Sequence, residues 1–234
     1  MINDSDLETY FYLSPTRLII SVYQKELSEK IFTDNLKINE NDNYIDFNKI
    51  EIFLEKNILE IERKTKTFLN EINLIVDHKD SLPINISFKN NNDGLAVKKK
   101  DLDYLLKDAK QQIKKYYFDK KIIHLIINNY FLDNISYAYF PENESCNNFI
   151  LELKFICFPK KIIKKIEEIF QKHHIFISKI VCAKYTKEFH NDSGEDICNM
   201  ALNIRNGVNK KEVLLVPKIE EKKGFFEKFF NLFG

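Results

Sequence analysis

The 234 residues carry 36 basic and 35 acidic side chains, so no global field draws the chain to nucleic acid. A hydrophobic share of 44%, with 20 Phe and 11 Tyr, is enough to fill a core and excludes global disorder, while the length suits one large domain or two small ones. The five glycines, Gly94, Gly194, Gly207, Gly224 and Gly234, fall at spacings that form neither a P-loop nor a dinucleotide fingerprint, so Gly-rich phosphate cradles are excluded.

Taken in chain order, residues 10–23 mix Tyr, Leu, Ile and Val around Ser14-Pro15-Thr16 and predict two strands joined by a turn. A short strand around Ile31 and Phe32 and a polar loop over 35–43 follow. Ile50, Leu54, Ile58, Ile61, Phe68 and Ile72 recur at three- and four-residue steps, which predicts a long amphipathic helix with Asp46 as its N-cap. Strands are expected over 72–76 and 84–88, with Pro83 marking the turn, and the polar run 90–94 is the clearest break in the chain. Beyond it the pattern predicts a helix over 100–117, strands over 122–127, 130–139 and 149–158, a helix over 162–172 and a strand over 175–183. Two helices on one face of a small, mostly antiparallel sheet would bury these stripes. Residues 185–209 are polar and weakly periodic, 213–216 suit one more strand, and 218–223 are a charged linker. The fold class expected is α+β with an α/β-like N-terminal part, divided as 1–93, 94–184, 185–217 and 218–234.

The sharpest local signal is the tail. With residues 225–233 helical at about 100° per residue, Phe225, Phe226, Phe229, Phe230, Leu232 and Phe233 fall within an arc of roughly 160°, leaving Glu227, Lys228 and Asn231 opposite. A short aromatic amphipathic helix of this kind lies on a membrane surface without spanning it. The alternative is that it packs back on its own domain. Residues 1–13 carry acids and lack the basic segment of a signal peptide, and no run approaches the 18 or so apolar residues of a membrane span.

Side chains suited to chemistry are sparse. Cys146, Cys157, Cys182 and Cys198 form no C-x-x-C pair and read as reduced thiols. His124 interrupts an apolar strand and reads as a satisfied core residue. The pair His173-His174 closes a helix, where positive charge suits the dipole. His190, Asp192, Glu195, Asp196 and Cys198 are metal-ligand types without recognised spacing and read as a solvated loop. The lysines at 98–100 and Lys160, Lys161, Lys164 and Lys165 read as solvated faces. The arginines number three, Arg17, Arg63 and Arg205, and no nucleophile with a neighbouring base can be nominated.

The order of elements resembles the FtsA family of actin-like membrane adaptors of bacterial cell division. Residues 97–110 (VKKKDLDYLLKDAK) are similar to the opening helix of that family's inserted subdomain, and 123–130 (IHLIINNY) resemble its strand ending in a polar-polar-Tyr step. The stretches 151–158 and 175–183, the helix after Pro159 and the aromatic tail follow in the family's order. The resemblance implies that 1–93 are a partial actin-like, ribonuclease H-like subdomain, that 94–184 are the inserted subdomain, built of two helices on a small sheet, and that 225–233 are the membrane-targeting helix. The family's first phosphate loop has the form Asp-x-Gly-Thr/Ser. Here the loop positions Leu13, Ser14, Pro15 and Thr16, within Tyr12-Leu13-Ser14-Pro15-Thr16-Arg17, lack both the acid and the glycine, and Pro15 removes a backbone donor.

What the resemblance implies is a reduced, non-catalytic member without ATP, metal or other cofactor, acting as an adaptor or scaffold of the divisome. It would sit on the cytoplasmic side of the inner membrane, at the division site. Its implied partners are the membrane surface, division proteins such as FtsZ or later divisome components, and further copies of itself, with no nucleic acid. Two alternatives stay open: a pilus or secretion assembly adaptor of the PilM type, and a residual actin-like ATPase.

Overall fold

The structure, a computed structural model, describes residues 7–25, 29–38, 44–191 and 196–213. Three strands open it, β1 (Leu7–Leu13), β2 (Arg17–Gln24) and β3 (Glu29–Lys37). They form an antiparallel meander in which Leu13 pairs with Leu18 across the turn. Helix α1 (Phe47–Thr65) then carries the chain back to β4 (Glu71–Val76), which lies parallel to β1.

Asp46 caps α1 as its sequence position requires, its carboxylate accepting from the amides of Asn48 and Lys49. The helix stops earlier than its apolar pattern predicts. Lys66 adopts φ 62° in the left-handed region, which leaves Phe68 exposed and puts Ile72 in β4.

The chain next builds a second sheet from β5 (Leu82–Asn91), β6 (Lys120–Leu132), β7 (Ile135–Tyr137) and β8 (Asn148–Pro159), with α2 (Lys99–Tyr116) between β5 and β6. Its order is β5-β8-β6-β7, antiparallel throughout. Alternate residues of β8, Phe149, Leu151, Leu153 and Phe155, join Leu105, Ala109 and Ile113 of α2 in a core of their own. The strand expected over 130–139 is divided: β6 runs unbroken to Leu132, and β7 turns back on it after Asp133 and Asn134, both at positive φ.

Helix α3 (Lys160–Lys172) and β9 (Phe176–Cys182) correct the expected architecture. Both were expected on the small sheet with α2. Instead β9 pairs parallel with β4, giving the first sheet the order β3-β2-β1-β4-β9. The stripe Ile163, Ile166, Ile169 and Phe170 of α3 packs into the first core, where the Phe170 and Phe53 rings meet Phe11 edge-on. The second unit therefore spans 82–159, inserted between β4 and α3, and carries one helix on its sheet. Periodicity shows that α3 has an apolar face but carries no information on which sheet covers it.

The first sheet is thus an antiparallel three-strand meander, β3-β2-β1, extended beyond β1 by two strands that run parallel to it, β4 and β9. Its second face is covered by α4 (Ala183–Phe189) and α5 (Ile197–Arg205), in the stretch expected to be polar and irregular. Ile197, Cys198, Met200, Ala201, Leu202 and Ile204 of α5 are all buried. A helix covered on most sides lacks the amphipathic period that would have marked it. Of the strand expected over 213–216, Val213 extends no named strand and 214–216 lie outside the described residues. The aromatic helix expected over 225–233 lies wholly outside them as well. Among the described residues no helix is long and apolar enough to cross a membrane.

Candidate functional site

The turn between β1 and β2 holds the residues that the resemblance compares with a first phosphate loop, and its hydrogen bonds close on themselves. The Ser14 amide donates to the Arg17 carbonyl at 3.0 Å, the Ser14 hydroxyl donates to the same oxygen at 3.0 Å, and the Arg17 amide donates to that hydroxyl at 2.8 Å. Pro15 has no N–H to give. A phosphate site on a backbone loop needs several amides aimed outward, whereas here the donors of Ser14 and Arg17 are spent inside the turn. The neighbouring segments pin it: Leu13 O accepts from Asp77 N at 2.8 Å and Thr16 O from Ile38 N at 2.7 Å. Leu13, Ser14, Pro15 and Thr16 are thus brought together as a compact structural turn.

Beside the turn runs a groove of about 480 Å³ whose lining includes Tyr12, Arg17, Lys30, Lys187 and Asp196. Asp77, just past the end of β4, accepts from the Tyr12 hydroxyl and from Lys187 Nζ, each at 2.9 Å. Lys30 is paired with Asp196, the N-cap of α5, which also accepts from the Tyr23 hydroxyl. Of the groove's cations, Lys30 and Lys187 are therefore neutralised by neighbouring acids. Burial and then the Asp77 charge push the Tyr12 phenol well above its ordinary range. Burial and the Asp196 charge raise the Cys198 thiol to about 12, which leaves it protonated and unreactive. All four cysteines are free and buried, and burial lifts Cys157 to about 11.

A second polar centre is largely buried, with the His124 and Glu212 side chains 0% and 4% exposed. His124 Nε2 accepts from the Cys182 amide at 2.9 Å, so the other ring nitrogen carries the proton that goes to Glu212 Oε1 at 2.7 Å. Glu212 Oε2 accepts from the Tyr185 hydroxyl at 2.9 Å, and Asn209 donates to that same hydroxyl at 2.6 Å. Burial works to raise the Glu212 carboxyl, but the hydrogen bonds from His124 and the Tyr185 hydroxyl outweigh it and hold the group below its ordinary value. His124 is satisfied in the core, as its place in an apolar strand indicates. The centre acts as a lock between β6, the β9–α4 junction and the segment 209–213. That segment pairs with the edge of β6, the Ile127 amide donating to Lys211 O and the Val213 amide to Leu125 O.

The remaining candidates separate. His190 caps the end of α4, Asp196 caps α5, Cys198 is buried in α5, and Asp192 and Glu195 lie outside the described residues. Lysines expected on solvated faces have local partners, Lys160 the Phe118 carbonyl at 2.7 Å and Lys164 the Glu168 carboxylate at 3.8 Å, while Lys165 lies over the Phe47 ring. Phe225, Phe226, Phe229, Phe230, Leu232 and Phe233 lie outside the described residues. Sequence reasoning missed Asp77, Lys187 and Glu212. An acid directly after an apolar strand is a usable signal for Asp77, because sites in such folds gather at the carboxyl ends of strands. Glu212 sits 88 positions from His124 in a stretch without period, and carries no such signal.

No family model matches the chain and no curated protein matches it. Among solved structures it is similar to a PilM–PilN type IV pilus biogenesis complex, at 7% identity and TM-score 0.48, over 78% of this chain and 49% of that one. It is also similar to the cytoplasmic domain of EpsL, an inner membrane component of the type II secretion system of Vibrio cholerae, at 9% identity and TM-score 0.36, over 77% and 56%. A third similar structure is a Bacteroides thetaiotaomicron protein with an actin-like ATPase fold and unknown function, at 10% identity and TM-score 0.28, over 82% and 60%. The chain thus spans between half and three fifths of the length of these structures.

Proposed function

We propose that this protein is a non-catalytic adaptor built on a reduced actin-like subdomain. In its specific form it is an FtsA-like scaffold that attaches division proteins to the cytoplasmic side of the inner membrane. The observation that carries the reading is the closed 13–17 turn. The position where a relative would cradle phosphate is filled by Ser14 and Arg17 hydrogen-bonding each other, which supports a scaffold retained without its nucleotide. Attachment is assigned to the aromatic face of 225–233, whose Phe pairs are spaced to lie flat in a lipid interface. A single short helix binds reversibly, so several copies in an assembly would hold more firmly than one.

Flotation of the full chain with anionic liposomes tests the anchor, and replacing Phe229 and Phe230 by Asp is expected to abolish it while the circular dichroism spectrum is kept. Flotation that survives the double substitution would remove the anchor assignment. Titration with Mg-ATP tests the adaptor reading: magnesium-dependent binding in the micromolar range would return the chain to the ATPases. A fluorescent fusion to the full chain separates the machines, because a septal band supports the divisome and a polar focus favours a pilus or secretion adaptor of the PilM type.

A further inference from the structure

Where α1 crosses the end of α3, three ligand-type side chains converge. Glu51 and Glu55 stand on successive turns of one face of α1, and His173 is the C-cap of α3. One ligand atom from each lies within 4.8 Å of the others. His173 Nε2 is shielded from solvent and has no hydrogen-bond partner. Its nearest carboxylate oxygen, on Glu55, is 4.0 Å away, beyond hydrogen-bonding range. An orphaned buried imidazole nitrogen facing two carboxylates calls for an explanation.

We propose that Glu51, Glu55 and His173 form a binding site for a divalent transition cation of the zinc class. One imidazole nitrogen and two carboxylate oxygens are ligands that zinc accepts, with bonds of about 2.0–2.2 Å. Such bonds set the ligand atoms roughly 3.3–3.5 Å apart, so the side chains need only close inward by small rotations from their present separation. The C-terminal end of α3 carries partial negative charge and favours a cation at this place. Lys172 Nζ now neutralises Glu51 through Oε1 at 2.7 Å. Its side chain is 59% exposed, so it swings into water at little cost when a metal takes the carboxylate. Three protein ligands leave a fourth position to water. The bound ion would fasten α1 to α3 across the Phe11 core, a role separate from membrane attachment.

The test loads metal-stripped full-length protein with cobalt(II), then zinc. One equivalent of cobalt giving visible bands of a low-symmetry four-coordinate site supports the proposal. So does a rise in Tm of roughly 5–10 °C with zinc at a hundredfold excess over Kd. His173→Gln and Glu55→Gln are each expected to weaken binding at least about tenfold. Glu55 is exposed, so that variant keeps the fold even where the histidine change disturbs it. Absence of one-to-one binding overturns the proposal. Binding that survives both substitutions and is lost with His190→Gln also overturns it, because the ion would then sit among 190–198.

Discussion

Glu212 keeps its negative charge in a place where its side chain is only 4% exposed, and it does so because His124 and Tyr185 both donate to it. Removing one member of such a buried set strands the others. Glu212→Ala is therefore expected to cost about 3–5 kcal/mol in urea unfolding, and Glu212→Gln less, since its carbonyl still accepts one of the two bonds. The pH dependence has a definite sign. The folded-state pKa lies below the ordinary 4.5, so the carboxylate contributes stability above that value and loses it as pH falls through the folded pKa. The stability gap between wild type and Glu212→Gln should therefore be full near pH 6 and shrink as pH falls below 4.5. A gap that stays constant across that range would show that the charge contributes nothing. The apolar setting of His124 was legible because eight of its neighbours in β6 are aliphatic or aromatic. Its partner was not, because a contact across 88 positions leaves no local trace.

At the scale of elements, the β1–β2 turn acts as a structural joint held by its own hydrogen bonds. The Ser14 hydroxyl both donates and accepts within three residues, and its side chain is buried. Ser14→Ala leaves the Arg17 amide without its partner and is expected to cost about 1–2 kcal/mol, read as a lower urea midpoint with an unchanged slope. A cost near zero would mean that water satisfies the turn equally well and that its closure is incidental. Elements with one wet face, α1 with its cap and α2, were legible in the sequence from their period, and β1 and β2, buried on both faces, from their run of aliphatic and aromatic residues around the 14–16 turn. The short α4 and the enclosed α5 were hidden for opposite reasons, the first having under two turns to show a period and the second being apolar nearly all round.

At the scale of the whole molecule, the question is whether the inserted unit 82–159 is an appendage or part of one cooperative body. The two cores are distinct, yet three residues of the second sheet, Ile126, Ile156 and Phe158, belong to the first. They lie on the face of that sheet opposite α2, at the end nearest β9. The enclosed His124 pairs there with the backbone of Cys182. The expected boundary at 93 lies between β5 and α2, within the run of elements that builds the second sheet. The polar run 90–94 marks the end of β5 and a turn at Gly94, φ 77°, whereas the true passages between the sheets, 77–81 and Pro159, are short and inconspicuous. Ties of this kind predict coupled unfolding. Phe158→Ala removes a fully buried ring from the first core while sitting in a strand of the second sheet, and should cost about 3–5 kcal/mol. Amide exchange followed by mass spectrometry should then accelerate in peptides from β1 and β2 as much as in those from β5 and β6. Acceleration confined to one sheet would mean that the insert opens independently. The junction would then act as a hinge between the five-stranded sheet and a movable four-stranded module.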